Sequence, residues 1–193
     1  MTLFMIRHGE TTGNVQKLFY GNEDLPLTQA GENQAIAIRP ILEKYNFARV
    51  YSSDLSRAIR TAKLVIPGCK PIQTPLLREY EMGKLHGMTH AEGQAIYGYI
   101  NSHYELAGGE SPEQVAARLQ AFLNDLPKDS DKNIAVFTHS GVMKTMLMLT
   151  LGMDCRTANL QSTNCNIAVF RFLNGRWVLS CWNLAGDVEG ESV

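Results

Sequence analysis

The stretch Leu3-Phe4-Met5-Ile6-Arg7-His8-Gly9-Glu10-Thr11 decides how the rest of the chain is read. Four consecutive large apolar residues fit a strand buried on both faces, and that strand ends abruptly at an arginine, a histidine and a glycine. In open α/β sheets ligands gather at the carboxyl ends of parallel strands, so polar residues directly after such a strand are the first candidates for a site. The pattern recurs twice. Ala48-Arg49-Val50-Tyr51 runs into Ser52-Ser53-Asp54-Leu55-Ser56-Arg57, and Ile134-Ala135-Val136-Phe137 runs into Thr138-His139-Ser140-Gly141. Two histidines and two arginines would then converge on one sheet edge.

Helical patterns separate these runs. Thr28 can cap a helix through Ala30, Gln34, Ala35 and Ile38 toward Tyr45, which Pro40 kinks or divides. Ser53 or Ser56 begins another, carrying Ala58, Ile59, Ala62 and Val65 to a stop at Pro67-Gly68. Ser111-Pro112-Glu113-Gln114 joins an N-cap, a proline at the first helical position and a capping-box glutamine, and predicts a helix through Val115, Leu119 and Phe122 to Leu126. A further helix follows Ser140-Gly141 and ends at Gly152. The closing segments Ile167 to Phe172 and Trp177 to Trp182, joined around Asn174-Gly175, read as a hairpin. The fold class is therefore α/β: a three-layer sandwich with a mostly parallel central sheet and helices on both faces.

At 193 residues the chain suits a single domain, 1–193, with a small lid insert at about 84–112 and a loose acidic tail at about 186–193. Hydrophobic residues make up 45% and charged residues 19%, as in ordinary soluble proteins, and a net charge of -1 points to no nucleic-acid partner. The apolar stretch at the start is shorter than a signal-peptide core, and no run reaches the ~20 residues of a membrane span, so no membrane partner and a cytoplasmic location are expected. Cys69, Cys155, Cys165 and Cys181 show no metal or redox spacing and read as reduced core residues.

A neutral imidazole can attack phosphorus, and flanking guanidinium groups both depress its pKa and neutralise the phosphoryl oxygens. The charge of a phosphoryl-transfer transition state lies on equatorial oxygens, so most of the catalysis comes from positioning and fixed positive donors. Arginine forks supply this without a metal. Taken singly, His8, His139 or Arg57 could each be an ordinary packed or solvated residue; it is their joint placement after three strands that points to chemistry.

These residues resemble the histidine phosphatase superfamily, or phosphoglycerate mutase-like family, whose hallmark is read here as Arg7-His8-Gly9-Glu10. The resemblance continues through Asn14, Gly21, Pro26-Leu27-Thr28, Gly31 and Gln34-Ala35, then Ser52 to Ala58 with Thr61-Ala62. It extends to Leu77-Arg78-Glu79 with Gly83 and Gly87, to Gly108-Gly109-Glu110-Ser111 with Arg118, and to Thr138-His139-Ser140-Gly141. It implies that His8 becomes phosphohistidine, that Arg7, Arg57 and His139 form the phosphate pocket, and that Glu79 donates the proton. Glu81 is the rival donor, since it would share a face with Glu79 in an extended segment. Asn14, Tyr20, Gly21 and the backbone around Ser140 are expected to contact substrate, and Glu10 to hold the loop. No cofactor and no metal are implied; His86 and His90, four apart, could bind one only if both lay on one helix.

The family contains mutases, broad phosphatases and phosphatases of cobalamin synthesis, so the shared motif names no substrate. Between Lys84 and Arg118 there is no lysine or arginine, only tyrosines at 97, 99 and 104 with His86, His90 and His103. Mutases of the family hold a second anionic group with basic residues in a longer insert here. The expectation is thus a phosphohistidine-forming phosphomonoester hydrolase for a small-molecule, low-charge monoester such as α-ribazole phosphate. A cofactor-dependent phosphoglycerate mutase is the alternative, and a non-catalytic phosphate-binding scaffold the alternative of another class. The edge hairpin allows either a monomer or a homodimer.

Overall fold

A computed structural model describes residues 1–98, 103–127, 132–152 and 162–184. In chain order the elements are β1 (Thr2–Arg7), α1 (Thr12–Val15), α2 (Gln29–Ala37), α3 (Arg39–Leu42), β2 (Phe47–Ser53), α4 (Ser56–Val65), β3 (Ile72–Thr74), α5 (His90–Tyr97), α6 (Pro112–Asp125), β4 (Asn133–Thr138), α7 (Ser140–Leu151), β5 (Ile167–Leu173) and β6 (Arg176–Trp182). They build one six-stranded sheet in the order β3-β2-β4-β1-β5-β6. β1, β2, β3 and β4 run parallel, while β5 and β6 close one edge as an antiparallel hairpin. The Asn174-Gly175 turn has positive φ at both residues, as a two-residue hairpin requires.

The alternation of β1 splits the core in two. Leu3 and Met5 point to the face covered by α6 and α7, where Val115, Leu119, Met143 and Met146 pack with Ile134 and Val136. Phe4 and Ile6 point to the other face, where Ala35, Leu42, Ala62 and Val65 of α2, α3 and α4 meet Ala135 and Phe137. Each β1 residue from Leu3 to Ile6 is almost wholly buried, which is why the run carries no polar position. Removing one such side chain, as in Leu119→Ala, would cost about 2–5 kcal/mol.

Of the two serines offered as the start of α4, Ser56 is its first residue, but no serine side chain caps it: Leu55 occupies the N-cap position, Ser53 Oγ accepts from the Leu55 N–H, and the Ser56 N–H and hydroxyl both donate to Asp24 Oδ1 at 2.7 Å. The cap comes from another segment of the chain. β3 was not foreseen, because it is three residues long and Ile72 lies about half exposed, leaving no apolar pattern to read. Elsewhere the reading stands: Thr28 caps α2, the helix divides before Pro40, and Ser111 forms a full capping box with Gln114. The acidic tail, Tyr99 and Cys155 lie outside the described residues. Of the other cysteines Cys165 is buried, whereas Cys69 and Cys181 are half-buried.

Candidate active site

Because β1 and β4 are parallel neighbours in the register Arg7↔Thr138, the residues that follow them emerge side by side. His8 extends the ladder by donating its N–H to Thr138 O at 3.0 Å. The rings of His8 and His139 lie 5.1 Å apart between centroids, and both are buried. From the other side, α4 presents Arg57 at its second position. Its guanidinium is fully buried without a carboxylate: Nη1 donates to Glu23 O and Nη2 to Gly21 O, each at 2.6 Å, and Nε donates to His139 Nδ1 at 3.3 Å. No carboxylate of the described residues hydrogen-bonds it, and the Tyr20 ring lies 4.9 Å beneath it.

These contacts fix both imidazole tautomers. His8 Nδ1 lies 2.7 Å from Gly9 O, and a carbonyl only accepts, so Nδ1 carries the proton and Nε2 presents a lone pair. His139 is the reverse: Nδ1 accepts from an arginine, so the neutral ring keeps its proton on Nε2, a buried atom with no partner among the described residues. Burial, then the charges of Arg7 and Arg57, hold His8 well below the ordinary histidine pKa. Burial and then Arg57 do the same to His139. At neutral pH the pair is one acceptor and one donor.

A cavity of about 430 Å³ opens above them, lined among others by Arg7, His8, Asn14, Arg57 and Glu79. Asn14 Oδ1 accepts from the Thr11 N–H and from Asn164 Nδ2, which leaves its own Nδ2 as the donor group. Glu79 is clamped: Oε1 accepts from the Tyr80 N–H and Oε2 from the Gly141 N–H, both at 3.0 Å. A Cβ on Gly141 would stand 2.2 Å from Glu79 Oε1, so only glycine admits the carboxylate at the start of α7. Arg118 braces the same segment from behind, donating to Glu79 O and Leu76 O while paired with Glu110.

The structure thus brings Arg7, His8, Asn14, Tyr20, Gly21, Arg57 and Glu79 to one cavity wall, with His139 directly behind. It does not bring Ser140, which is absent from that wall, and the next N–H, that of Gly141, is committed to Glu79. Glu81 is exposed, engages Asn22 and the Gly83 N–H, and does not line the cavity. Glu10 accepts from the Thr28 hydroxyl, a loop-holding contact. His86 precedes the Thr89-capped α5 and pairs with Glu23, whereas His90 opens the helix and stacks on Phe19, so the two do not share a helical face. Among the described residues no three His, Cys, Asp or Glu side chains cluster as a metal site would need, and no helix is long and apolar enough to cross a membrane.

Sequence reasoning missed two contributors. The loop before β5 wraps the Arg7-His8 corner: Arg7 Nη1 donates to Ser162 O, and Asn164 Nδ2 donates to both His8 O and Asn14 Oδ1. Burial pushes the Cys165 thiol in this loop up to about 12, which makes it inert packing. The second is Lys17, which lines the cavity from just after α1, a cation outside the Lys84 to Arg118 segment on which the expectation of a low-charge substrate was based.

Residues 3–185 match the family described as Histidine phosphatase superfamily (branch 1). The chain is 30% identical over 206 residues to the "Probable phosphoglycerate mutase GpmB" of Cronobacter sakazakii, a match covering 98% of this chain and 94% of that protein. A mycobacterial glucosyl-3-phosphoglycerate phosphatase solved with VO3 superposes with a TM-score of 0.80 at 27% identity, over 95% of this chain and 99% of the other. Phosphoserine phosphatase from Entamoeba histolytica, solved with 3-phosphoglyceric acid, gives 0.81 at 28% identity, over 95% and 97%. With nearly its whole length matched to that family and its fold superposing on these neighbours, the chain belongs to the histidine phosphatase superfamily.

Proposed function

We propose that the protein is a phosphomonoesterase that passes a phosphoryl group through His8. One observation carries the reading: a neutral imidazole, locked by Gly9 O so that Nε2 is its free lone pair, sits between two guanidinium groups and beside a second imidazole whose Nε2–H is unpaired. In the first step Nε2 attacks phosphorus and the ester P–O bond breaks. Arg7, Arg57 and His139 Nε2–H meet the charge on the equatorial oxygens, and Glu79 gives its proton to the departing alkoxide. In the second step water attacks the phosphohistidine and returns a proton to Glu79; the P–N bond breaks and inorganic phosphate leaves. Each Glu79 oxygen accepts one backbone N–H and retains a further lone pair, so the carboxyl can take up this proton without leaving its clamp.

The neighbouring solved structures named as phosphatases support hydrolysis, while the sequence relative's name favours a mutase. Among the described residues the lid contributes His90, Gln94 and Tyr104 to the cavity but no lysine or arginine, which favours the hydrolase, since a mutase must retain a bisphosphorylated species between half-reactions. Acid-quenched phosphate labelling tests the chemistry: label in the wild type and none in His8→Ala is expected, and no label in either would leave a binding scaffold. Release of phosphate from simple monoesters, set against interconversion of phosphoglycerates with added bisphosphoglycerate, separates the two enzymes. Dominant interconversion would overturn the hydrolase.

A further inference from the structure

Lys17 occupies a position that the backbone reserves for glycine. After α1 the chain closes with the Lys17 N–H on Asn14 O at 3.1 Å and the Leu18 N–H on Gly13 O at 2.9 Å, the paired bonds of a Schellman turn, whose residue in the left-handed region is usually glycine. Lys17 holds φ at 55°. A side chain kept at a strained position beside a site is a reason to ask what the side chain does there.

Its surroundings give an answer. Among the described residues the cavity wall carries the cations Arg7, Arg57 and Lys17 against the single carboxylate Glu79. The two arginines are tied into the phosphate pocket through Ser162, Gly21, Glu23 and His139, whereas no carboxylate of the described residues pairs with Lys17. Its backbone carbonyl accepts the His90 N–H at 2.8 Å, which seats the start of α5 against it, and Gln94 lies one turn further along the same wall. Burial and the Lys17 charge lower the pKa of His90.

We infer that Lys17 is a specificity-determining residue whose ammonium binds a carboxylate in the organic part of the phosphomonoester, with His90 and Gln94 flanking it. The inference rests on reading the cavity as a phosphomonoester site. A carboxylate is favoured because its negative charge pairs with the ammonium, making that hydrogen bond charge-assisted, while its second oxygen can accept from the Gln94 amide; a neutral hydroxyl offers no such charge.

Binding to His8→Ala protein tests it without requiring turnover. 3-Phosphoglycerate and glycerol 3-phosphate differ only in a carboxylate against a hydroxymethyl group. The first should bind about tenfold more tightly. Lys17→Met should bring the ratio close to one, and Lys17→Arg should restore most of it. Lys17→Gly relieves the positive φ, so its melting temperature should not fall although the preference disappears; that outcome separates recognition from a structural role. An unchanged ratio in Lys17→Met, or no binding of either ligand, overturns the inference. Phosphate release by the wild type is judged separately: its absence together with a Lys17-dependent ratio would remove the phosphatase reading and keep the carboxylate site.

Discussion

Arg57 Nε donates to His139 Nδ1 across 3.3 Å, and this one bond decides which nitrogen of the second imidazole carries its proton. The same guanidinium is anchored on Gly21 O and Glu23 O, so arginine geometry fixes a charge, a tautomer and a loop together. Lysine cannot reproduce three divergent donors from a planar fork. Arg57→Lys should therefore lower kcat/KM by about 100-fold or more, the scale seen when one preorganised donor is lost. Steady-state kinetics on a simple aryl phosphate would show it; a loss under threefold would mean that charge alone suffices there.

Glu79 and Gly141 should behave as one unit. If Glu79 protonates the leaving group, Glu79→Gln must hurt alkyl phosphates, whose alkoxides need the proton, more than p-nitrophenyl phosphate, whose phenolate does not. A difference of roughly 100-fold between the two substrate classes is expected. Gly141→Ala, whose Cβ would displace Oε1, should copy that leaving-group dependence. Equal losses on both substrates would remove the acid role from Glu79.

Protonation of the buried histidines should set the acid limit of stability. His8 and His139 both have folded pKa values well below the ordinary 6.5, chiefly through burial. In that case the unfolded chain binds more protons than the native one below about pH 6.5, so stability rises with pH up to that point and then levels. The full benefit is present above 6.5 and is lost as pH falls toward the folded values, with a slope of about 1.4 kcal/mol per pH unit for each histidine. Urea unfolding between pH 4.5 and 7.5 should show a slope reduced by about that amount in His8→Asn and again in His139→Asn. A slope indifferent to both substitutions would mean that neither ring is kept neutral.

The parts of this fold legible from sequence are those whose cause is local. Leu3 to Ile6 announces a doubly buried strand because all four positions face a core, and Ser111 with Gln114 announces a helix start because both halves of the capping box lie within four residues. The residues that follow β1, β2 and β4 reveal the site edge for the same reason. What was illegible is made across the chain: Asp24 caps α4 from 32 residues away, Asn164 reaches His8 O across 156, and Lys17 joins the wall only when α5 folds over it. No periodicity encodes such pairs.

Asp24 offers a direct test of that long-range wiring. Its carboxylate accepts both the N–H and the hydroxyl of Ser56, the residue before Arg57. Asp24→Ala should cost about 0.5–2 kcal/mol in urea unfolding, as for loss of an N-cap. Because the Gly21–Glu23 segment that grips Arg57 leads into Asp24, activity should fall as well; stability lost with activity intact would show that Arg57 keeps its place without this cap.

Asn164 carries the sharpest separation of positioning from stability. Its Nδ2 donates to His8 O at 3.2 Å and to Asn14 Oδ1 at 3.1 Å, so one side chain orients the backbone behind the attacking imidazole and the amide of a neighbouring residue on the cavity wall. Neither contact belongs to a strand ladder or a helix, and the residue is only partly buried, so Asn164→Ala should cost about 1 kcal/mol or less in unfolding. Its kinetic cost should be larger than that energy implies, because Asn14 Oδ1 would lose one of the donors that hold it, leaving those of Thr11, and His8 would lose part of its anchorage. Asn164→Asp supplies the control: it keeps the size but replaces the donor with an acceptor facing two carbonyl-type oxygens, so it should be worse than alanine in kcat/KM. If alanine and aspartate are equally active, the donor at 164 has no part in holding the nucleophile.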